Sequence, residues 1–302
     1  MKETPNGWRR SLQGETLALY FDKPSTRTRT SFAAAAWRLG MLPLELRPGD
    51  LQLGRGESLA DTARVLSGYV SALVVRTFAQ STLEELADAA SVPVVNALTN
   101  EHHPCQALAD LLTLKERFGD LAGLKLAYVG DGNNVAHSLL EACALAGVQI
   151  SVASPDGYAL HPDVVAWAHR AGGSVEVVGD PVAAVEGAHA VYTDTWVSMG
   201  VDAERDVRLA DLAPYRLDEA LLGHARPDAI VLHCLPAHRG EEITAGVLDG
   251  PRSAVWDQAA NRLPTEQALL HMLLVGNRAD APRDAQPPAL REVALRSVSA
   301  LA

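Results

Sequence analysis

Lysine is nearly absent from this chain: Lys2, Lys23, Lys115 and Lys125 are the whole set in 302 residues, so arginine carries almost all the positive charge. That scarcity assigns no function. Together the two cations number 26 against 37 carboxylates, a formal net charge of −11. Such an acidic balance excludes the extended basic face that nucleic acid or an anionic membrane surface requires. A small anion is not excluded, since it needs only a few local donors. Cysteine is as sparse, with Cys105, Cys143 and Cys234 alone. An odd set this small reads as reduced thiols rather than a disulfide framework. No run of about eighteen apolar residues is present to span a membrane. The opening MKETPNGWRRSLQ has no apolar signal-peptide core, so a cytoplasmic protein is expected.

What the sequence does have is a globular composition, 48% hydrophobic and 21% charged. Its length suits two average domains. Short apolar runs alternate with helical stretches, which predicts an α/β protein of mostly parallel sheets flanked by helices. The expected strands are LALYF (17–21), SALVVR, VPVVNAL, LKLAYVG and segments at 148–153, 175–178, 188–192 and 229–232. Ser25-Thr26 offer an N-cap for the helix RTRTSFAAAAWRL, which stops at Gly40. Residues from Cys105 to Phe118 carry apolar positions at helical spacing. A junction, GDLAGLK, puts the domain boundary near residue 120, giving domains 1–120 and 121–261. A late helix from Asn261, about 262–275, is expected to return to the first domain. Beyond Gly276 a polar, Pro-rich tail, 277–302, is expected to be mobile.

The richest segment is Phe21-Asp22-Lys23-Pro24-Ser25-Thr26-Arg27-Thr28-Arg29-Thr30-Ser31-Phe32. It leaves a strand and enters a helix, so free backbone N–H groups and the helix dipole aim at one point. One hydroxyl would serve an ordinary cap, but five hydroxyls interleaved with two arginines suit a phosphate better. The string PSTRTRTSF resembles the carbamoyl-phosphate signature of the aspartate and ornithine carbamoyltransferases.

Several further segments fit that resemblance, in order. Gln52-Leu53-Gly54-Arg55-Gly56-Glu57-Ser58 resembles the ornithine-branch loop that reaches into a neighbouring subunit's site. The resemblance therefore implies an oligomer, a homotrimer or a multiple of trimers. His102-His103-Pro104-Cys105 is poor zinc spacing with no matching second half, so no metal is read there. His103-Pro104-Cys105-Gln106 instead resembles the family's HPxQ motif. Gly130-Asp131-Gly132-Asn133-Asn134 invites a dinucleotide reading, but Val135 stands where a third glycine belongs, and Ser154 where an acidic residue would bind a ribose. Asp194-Thr195-Trp196-Val197-Ser198-Met199-Gly200 and His233-Cys234-Leu235-Pro236 resemble the two ornithine-branch loops. A Cys234–His233 nucleophile pair is disfavoured, because adjacent strand residues point to opposite faces. Trp256-Asp257-Gln258-Ala259-Ala260-Asn261-Arg262 resembles the closing motif, departing at Ala260 (usually Glu) and Pro264 (usually His).

The resemblance implies an enzyme that moves the carbamoyl group of carbamoyl phosphate to the δ-amine of L-ornithine, with no metal or organic cofactor. It implies carbamoyl-phosphate contacts from Ser25, Thr26, Arg27, Thr28, Gln52, Arg76, His103, Gln106, Leu235 and Arg262. It implies ornithine contacts from Asn134, Asp194, Ser198, Met199 and Cys234. Thr28, Arg76 and His103 would stabilise the oxyanion, and Cys234 would orient the reacting amine. Two rival classes are a nicotinamide dehydrogenase and a non-catalytic relative; the second should have lost an anion ligand, and none is lost.

Overall fold

The computed structural model describes Lys2 and residues 8–52, 56–197 and 204–276. Ser198, Met199, the Leu53-Gly54-Arg55 part of the Gly-rich loop and the tail 277–302 lie outside the described residues. The chain divides into two compact units, Met1–Cys105 with Arg262–Ala302, and Gln106–Asn261.

The first unit is built from β1 (Thr16–Phe21), α1 (Arg27–Leu39), β2 (Leu42–Leu46), α2 (Leu59–Ser67), β3 (Ala72–Arg76), α3 (Gln80–Ala89) and β4 (Val94–Leu98). Its four parallel strands run in the order β2-β1-β3-β4. Alternation along β1 divides its side chains between two cores. Leu17 and Leu19 pack with Phe32, Ala35 and Leu39 of α1, while Ala18 and Tyr20 pack with Ala63 of α2 and Leu83 and Leu86 of α3. Strand β2 is absent from the sequence reading. As an edge strand it pairs on one side only, and LPLEL mixes Pro43 and Glu45 into a short, largely exposed run.

Helix α4 (Pro104–Phe118) carries the first unit boundary, between Cys105 and Gln106. The second unit continues with β5 (Lys125–Val129), α5 (Asn134–Ala146), β6 (Gln149–Ala153), α6 (Pro162–Arg170), β7 (Val175–Val178), α7 (Pro181–Val185) and β8 (Ala190–Tyr192). It ends with α8 (Arg205–Leu212), α9 (Glu219–Leu222), β9 (Ile230–Leu232), α10 (Ala245–Leu248) and the start of α11 (Val255–His271). Five parallel strands lie in the order β7-β6-β5-β8-β9, with β5 and β8 at the switch point where the chain reverses its direction across the sheet. Leu126 and Tyr128 face α5 on one side; Ala127 and Val129 face α7, α9 and α10 on the other.

Helix α11 corrects one expectation. It starts at Val255 rather than near Asn261, and Pro264, already inside the expected helix, lies within it. A proline inside a helical pattern reads as a boundary, because it lacks an N–H and crowds the preceding turn. Here the turn before it is secured by side chains: Gln258 Nε2 donates to Asp110 Oδ1 at 2.7 Å, and Asn261 Nδ2 donates to Thr113 Oγ1 at 3.0 Å.

Gly132, in the turn between β5 and α5, is required by a close approach. A Cβ there would lie 2.6 Å from the Leu160 nitrogen, 2.7 Å from the Ala159 carbonyl carbon and 2.8 Å from the Tyr158 oxygen. Those are backbone atoms, and the Gly132 N–H already donates to the Tyr158 carbonyl at 2.8 Å. Gly132→Ala is therefore expected to destabilise the protein by about 1–3 kcal/mol through overpacking. Scanning calorimetry should show a melting temperature lower by roughly 3–10 °C; an unchanged transition would mean the 158–160 segment yields freely.

Candidate active site

In the first unit, strand pairing sets Phe21, Arg76 and Leu98 level with one another on β1, β3 and β4. The loops that leave these three strand ends carry Ser25–Thr28, Arg76 itself, and His103. Helix α1 begins at Arg27 with Thr26 at its N-cap, and the Thr26 side chain makes no capping bond. Its hydroxyl is thus not consumed by the helix start, as an ordinary cap would require. Thr28 is buried, and its Oγ1 accepts from Arg262 Nη2 at 3.2 Å. Arg262 is held in turn by Glu266, one helical turn on, through Nη2 at 2.8 Å and Nε at 3.2 Å to the same carboxylate oxygen.

Electrostatics shows that the guanidiniums converge. Burial, then Arg262, Arg76 and Arg27, push the His103 pKa well below its usual 6.5, so the imidazole is neutral. A neutral imidazole beside three cations is a hydrogen-bond donor that adds no charge of its own. Glu266 is pushed up to about 7 by burial, against the opposing pull of Arg262 and Ser31. Desolvation outweighs the ion pair because both side chains are almost wholly buried. Cys105 is a packing residue: its Sγ meets the Asn96 carbonyl oxygen at 3.3 Å, and burial pushes the thiol up to about 12. Gln52 is exposed, and among the described contacts its side chain is not tied to this cluster. Gln106 lies one turn beyond His103 and falls in the second unit, where its Nε2 donates to Asp110 Oδ1 at 2.8 Å.

In the second unit, Tyr128, Tyr192 and Leu232 are level on β5, β8 and β9. Gly130–Asn134, Asp194 and His233–Cys234 all leave from that edge. Asp194 is buried and gripped from both sides: Cys234 Sγ donates to Oδ1 at 2.8 Å, and Asn133 Nδ2 donates to Oδ2 at 2.8 Å. Asn134 is the first residue of α5, while Asn133 is its N-cap. His233 is fully engaged. Its Nδ1 accepts from the Leu235 N–H at 2.9 Å, which leaves Nε2 to donate to Glu242 Oε1 at 3.1 Å. Asp194, His233 and Cys234 nonetheless bring ligand atoms within 4.8 Å of one another. His233 and Cys234 follow the last residue of β9, so strict strand alternation does not separate them. All those atoms are already hydrogen-bonded to protein, which gives no ground for reading a metal site.

Sequence reading passed over four participants. Lys23 is buried, pairs with Asn100 Oδ1 and lies 4.4 Å from the Phe78 ring centre. Glu266 answers Arg262. Arg208 pairs with Asp131 and donates from Nε to the Trp196 carbonyl at 2.6 Å, two residues beyond Asp194. These three meet their partners only through the fold. Asn133 differs, because the preference for asparagine at an N-cap could have singled it out. The dinucleotide reading loses its remaining support: the backbone of 158–160, not a pyrophosphate, occupies the space beside Gly132.

Comparison with known proteins agrees with this layout. Residues 1–116 match the family described as aspartate/ornithine carbamoyltransferase, carbamoyl-P binding domain, and residues 122–273 match its Asp/Orn binding domain. An ornithine carbamoyltransferase of Gloeobacter violaceus is 55% identical over 270 residues, covering 88% of this chain and 86% of that protein. One from Thermosynechococcus vestitus is 57% identical over 264 residues, covering 86% of this chain and 85% of its own. The solved ornithine carbamoyltransferase of Pyrococcus furiosus superposes with a TM-score of 0.85 at 50% identity, covering 89% of this chain and 87% of that one. With both family domains matched in order and both clusters seated at the carboxyl ends of parallel strands, the chain belongs to the aspartate/ornithine carbamoyltransferase family.

Proposed function

We propose that this enzyme transfers the carbamoyl group of carbamoyl phosphate to the δ-amine of L-ornithine, giving L-citrulline and phosphate. The observation that carries the first half is the convergence of Arg27, Arg76 and Arg262 on the neutral His103 at the strand ends of the first sheet. The second half rests on Asp194, a buried carboxylate on the acceptor loop, which suits a cationic amino acid and would repel aspartate.

The neutral δ-amine attacks the carbonyl carbon of carbamoyl phosphate and forms a C–N bond. Charge develops on the carbonyl oxygen, where Arg76, His103 and Thr28 donate. The C–O bond to phosphate then breaks, the amine's proton passes to the departing phosphate, and that phosphate leaves against Ser25, Thr26, Arg27 and Arg262. Gln106 holds the carbamoyl nitrogen, and Leu235 contributes from its turn. Asn134, Ser198 and Met199 complete the acceptor site with Asp194 and Cys234, which align the amine for attack. The lowered His103 pKa fits this role, since a neutral imidazole donates a hydrogen bond without drawing a proton from the amine. We place the enzyme in the cytoplasm, as a homotrimer or a multiple of trimers, with Gln52 completing the site of a neighbouring copy.

Arg27→Ala removes a charge-assisted pair at the phosphate. It should cost about 3 kcal/mol or more in the transition state, roughly a hundredfold in rate. Retention of more than about half the wild-type turnover by the folded variant, at saturating substrates, would remove Arg27 from the site.

Assembly can be tested by complementation. An Arg27→Ala chain mixed with a Gln52→Ala chain should regain activity, because a hybrid trimer pairs two intact halves in at least one site. A strictly monomeric mass in solution rules out both the trimer and the shared site.

Asp194→Asn keeps the shape and deletes the charge. The loss in ornithine kcat/KM should reach about 2–4 kcal/mol, as for an ion pair in a partly desolvated setting. Carbamoyl-phosphate binding, followed alone by calorimetry, should stay within about threefold. Unchanged ornithine kinetics, or a wild type that prefers aspartate, would leave the carbamoyltransferase reading standing without its acceptor.

A further inference from the structure

The Asn133 side chain joins the first βα turn of the second sheet directly to the Asp194 carboxylate. Its Oδ1 accepts from the Val135 N–H at 2.9 Å and the Ala136 N–H at 3.2 Å, closing the N-terminus of α5. The Tyr128 hydroxyl, which donates to the Asp131 carbonyl at 2.8 Å, lies 3.4 Å from the same oxygen. Those donors fix the amide's orientation: the oxygen must face the helix, so the NH2 must face the other way. There it meets Asp194 Oδ2 at 2.8 Å. The opposite carboxylate oxygen takes the Cys234 thiol. The Asp194 carboxylate is thereby held across the β5/β8 switch point, from β5 by Asn133 and from the β9 side by Cys234.

Residue type matters here. Serine, threonine and aspartate cap helices about as well as asparagine. None of them combines an acceptor for the cap with an amide donor long enough for a second loop. An asparagine is what a position needs when it must both cap a helix and hold a carboxylate.

We propose that Asn133 is a positioning residue for acceptor choice: it aims Asp194 at the acceptor's cationic amine without touching the acceptor itself. The idea rests on the proposed function, which makes Asp194 the acceptor's counter-charge. It differs from the role that family resemblance gives the neighbouring Asn134, which is direct contact.

The test compares Asn133→Ser, Asn133→Asp, Asp194→Asn and the double variant Asn133→Ser/Asp194→Asn, in the full-length chain. Serine keeps the cap but cannot reach Asp194. The ornithine KM should rise about tenfold, with the carbamoyl-phosphate KM within about twofold and kcat within a few fold. Aspartate also keeps the cap, but it turns a donor into a second carboxylate against Asp194, so its ornithine KM should rise further. The double variant should be no worse than Asp194→Asn alone, because Asn133 acts through Asp194. Additive losses, a parallel rise in both KM values, or an unchanged ornithine KM in the serine variant would overturn the proposal. Should the serine variant not fold, the aspartate variant decides: an ornithine KM equal to wild type overturns the proposal, and a selective rise supports it. A wild type that does not carbamoylate ornithine would instead overturn the functional reading, and this proposal with it.

Discussion

Parallel pairing that ends level on three neighbouring strands is the constraint on which everything else depends. In the first sheet the register sets Phe21, Arg76 and Leu98 side by side; in the second it sets Tyr128, Tyr192 and Leu232 side by side. Each strand end is followed by a short loop, so residues distant in sequence are delivered to one edge. A one-residue slip would invert every side chain on a strand and exchange its two cores. Alternate burial prevents that slip, since Leu17 and Leu19 have a different core from Ala18 and Tyr20. Packing of ordinary apolar side chains thus fixes where Arg76 and the Asp194 carboxylate can stand.

Much of this was legible in the chain because buried parallel strands read as continuous apolar runs. ALVVR, VVNAL and KLAYV sit within the segments expected for them, and Gly40 ends α1 where a left-handed residue is needed. The exceptions have physical reasons. LPLEL is an edge strand and lacks the signature of a buried one. The expected start near Asn261 missed the first turns of α11, where Gln258 and Asn261 meet residues more than a hundred positions earlier. Gly132 looked like half of a dinucleotide fingerprint, and its true reason is the backbone at 158–160, which no local pattern could reveal. The motifs located Arg27, Arg76, His103, Asp194 and Cys234 in the sequence, but they were silent on what holds them. Glu266 under Arg262, and Arg208 on the Trp196 carbonyl, are partners that only the fold supplies.

An acidic protein that concentrates guanidiniums at one edge must cover the cost of desolvating them. Burial there also displaces two proton equilibria in opposite directions. His103, pushed well below 6.5, stays neutral in the folded state while the unfolded chain takes up a proton. Its contribution is therefore present above the unfolded value and lost as pH falls through it toward the folded one. Glu266, raised to about 7, binds a proton more tightly when folded; its contribution is present below the unfolded value and fades as pH rises through about 7. Near neutrality the cluster thus holds an uncharged imidazole, a half-titrated carboxyl and three fixed cations. A dianion entering that setting would meet three guanidiniums at once. It would also push Glu266 toward its protonated form, so its binding should be accompanied by proton uptake rather than release. The preference for an anion is therefore set before any ligand arrives, by burial acting on residues that a single turn of sheet and helix brings together.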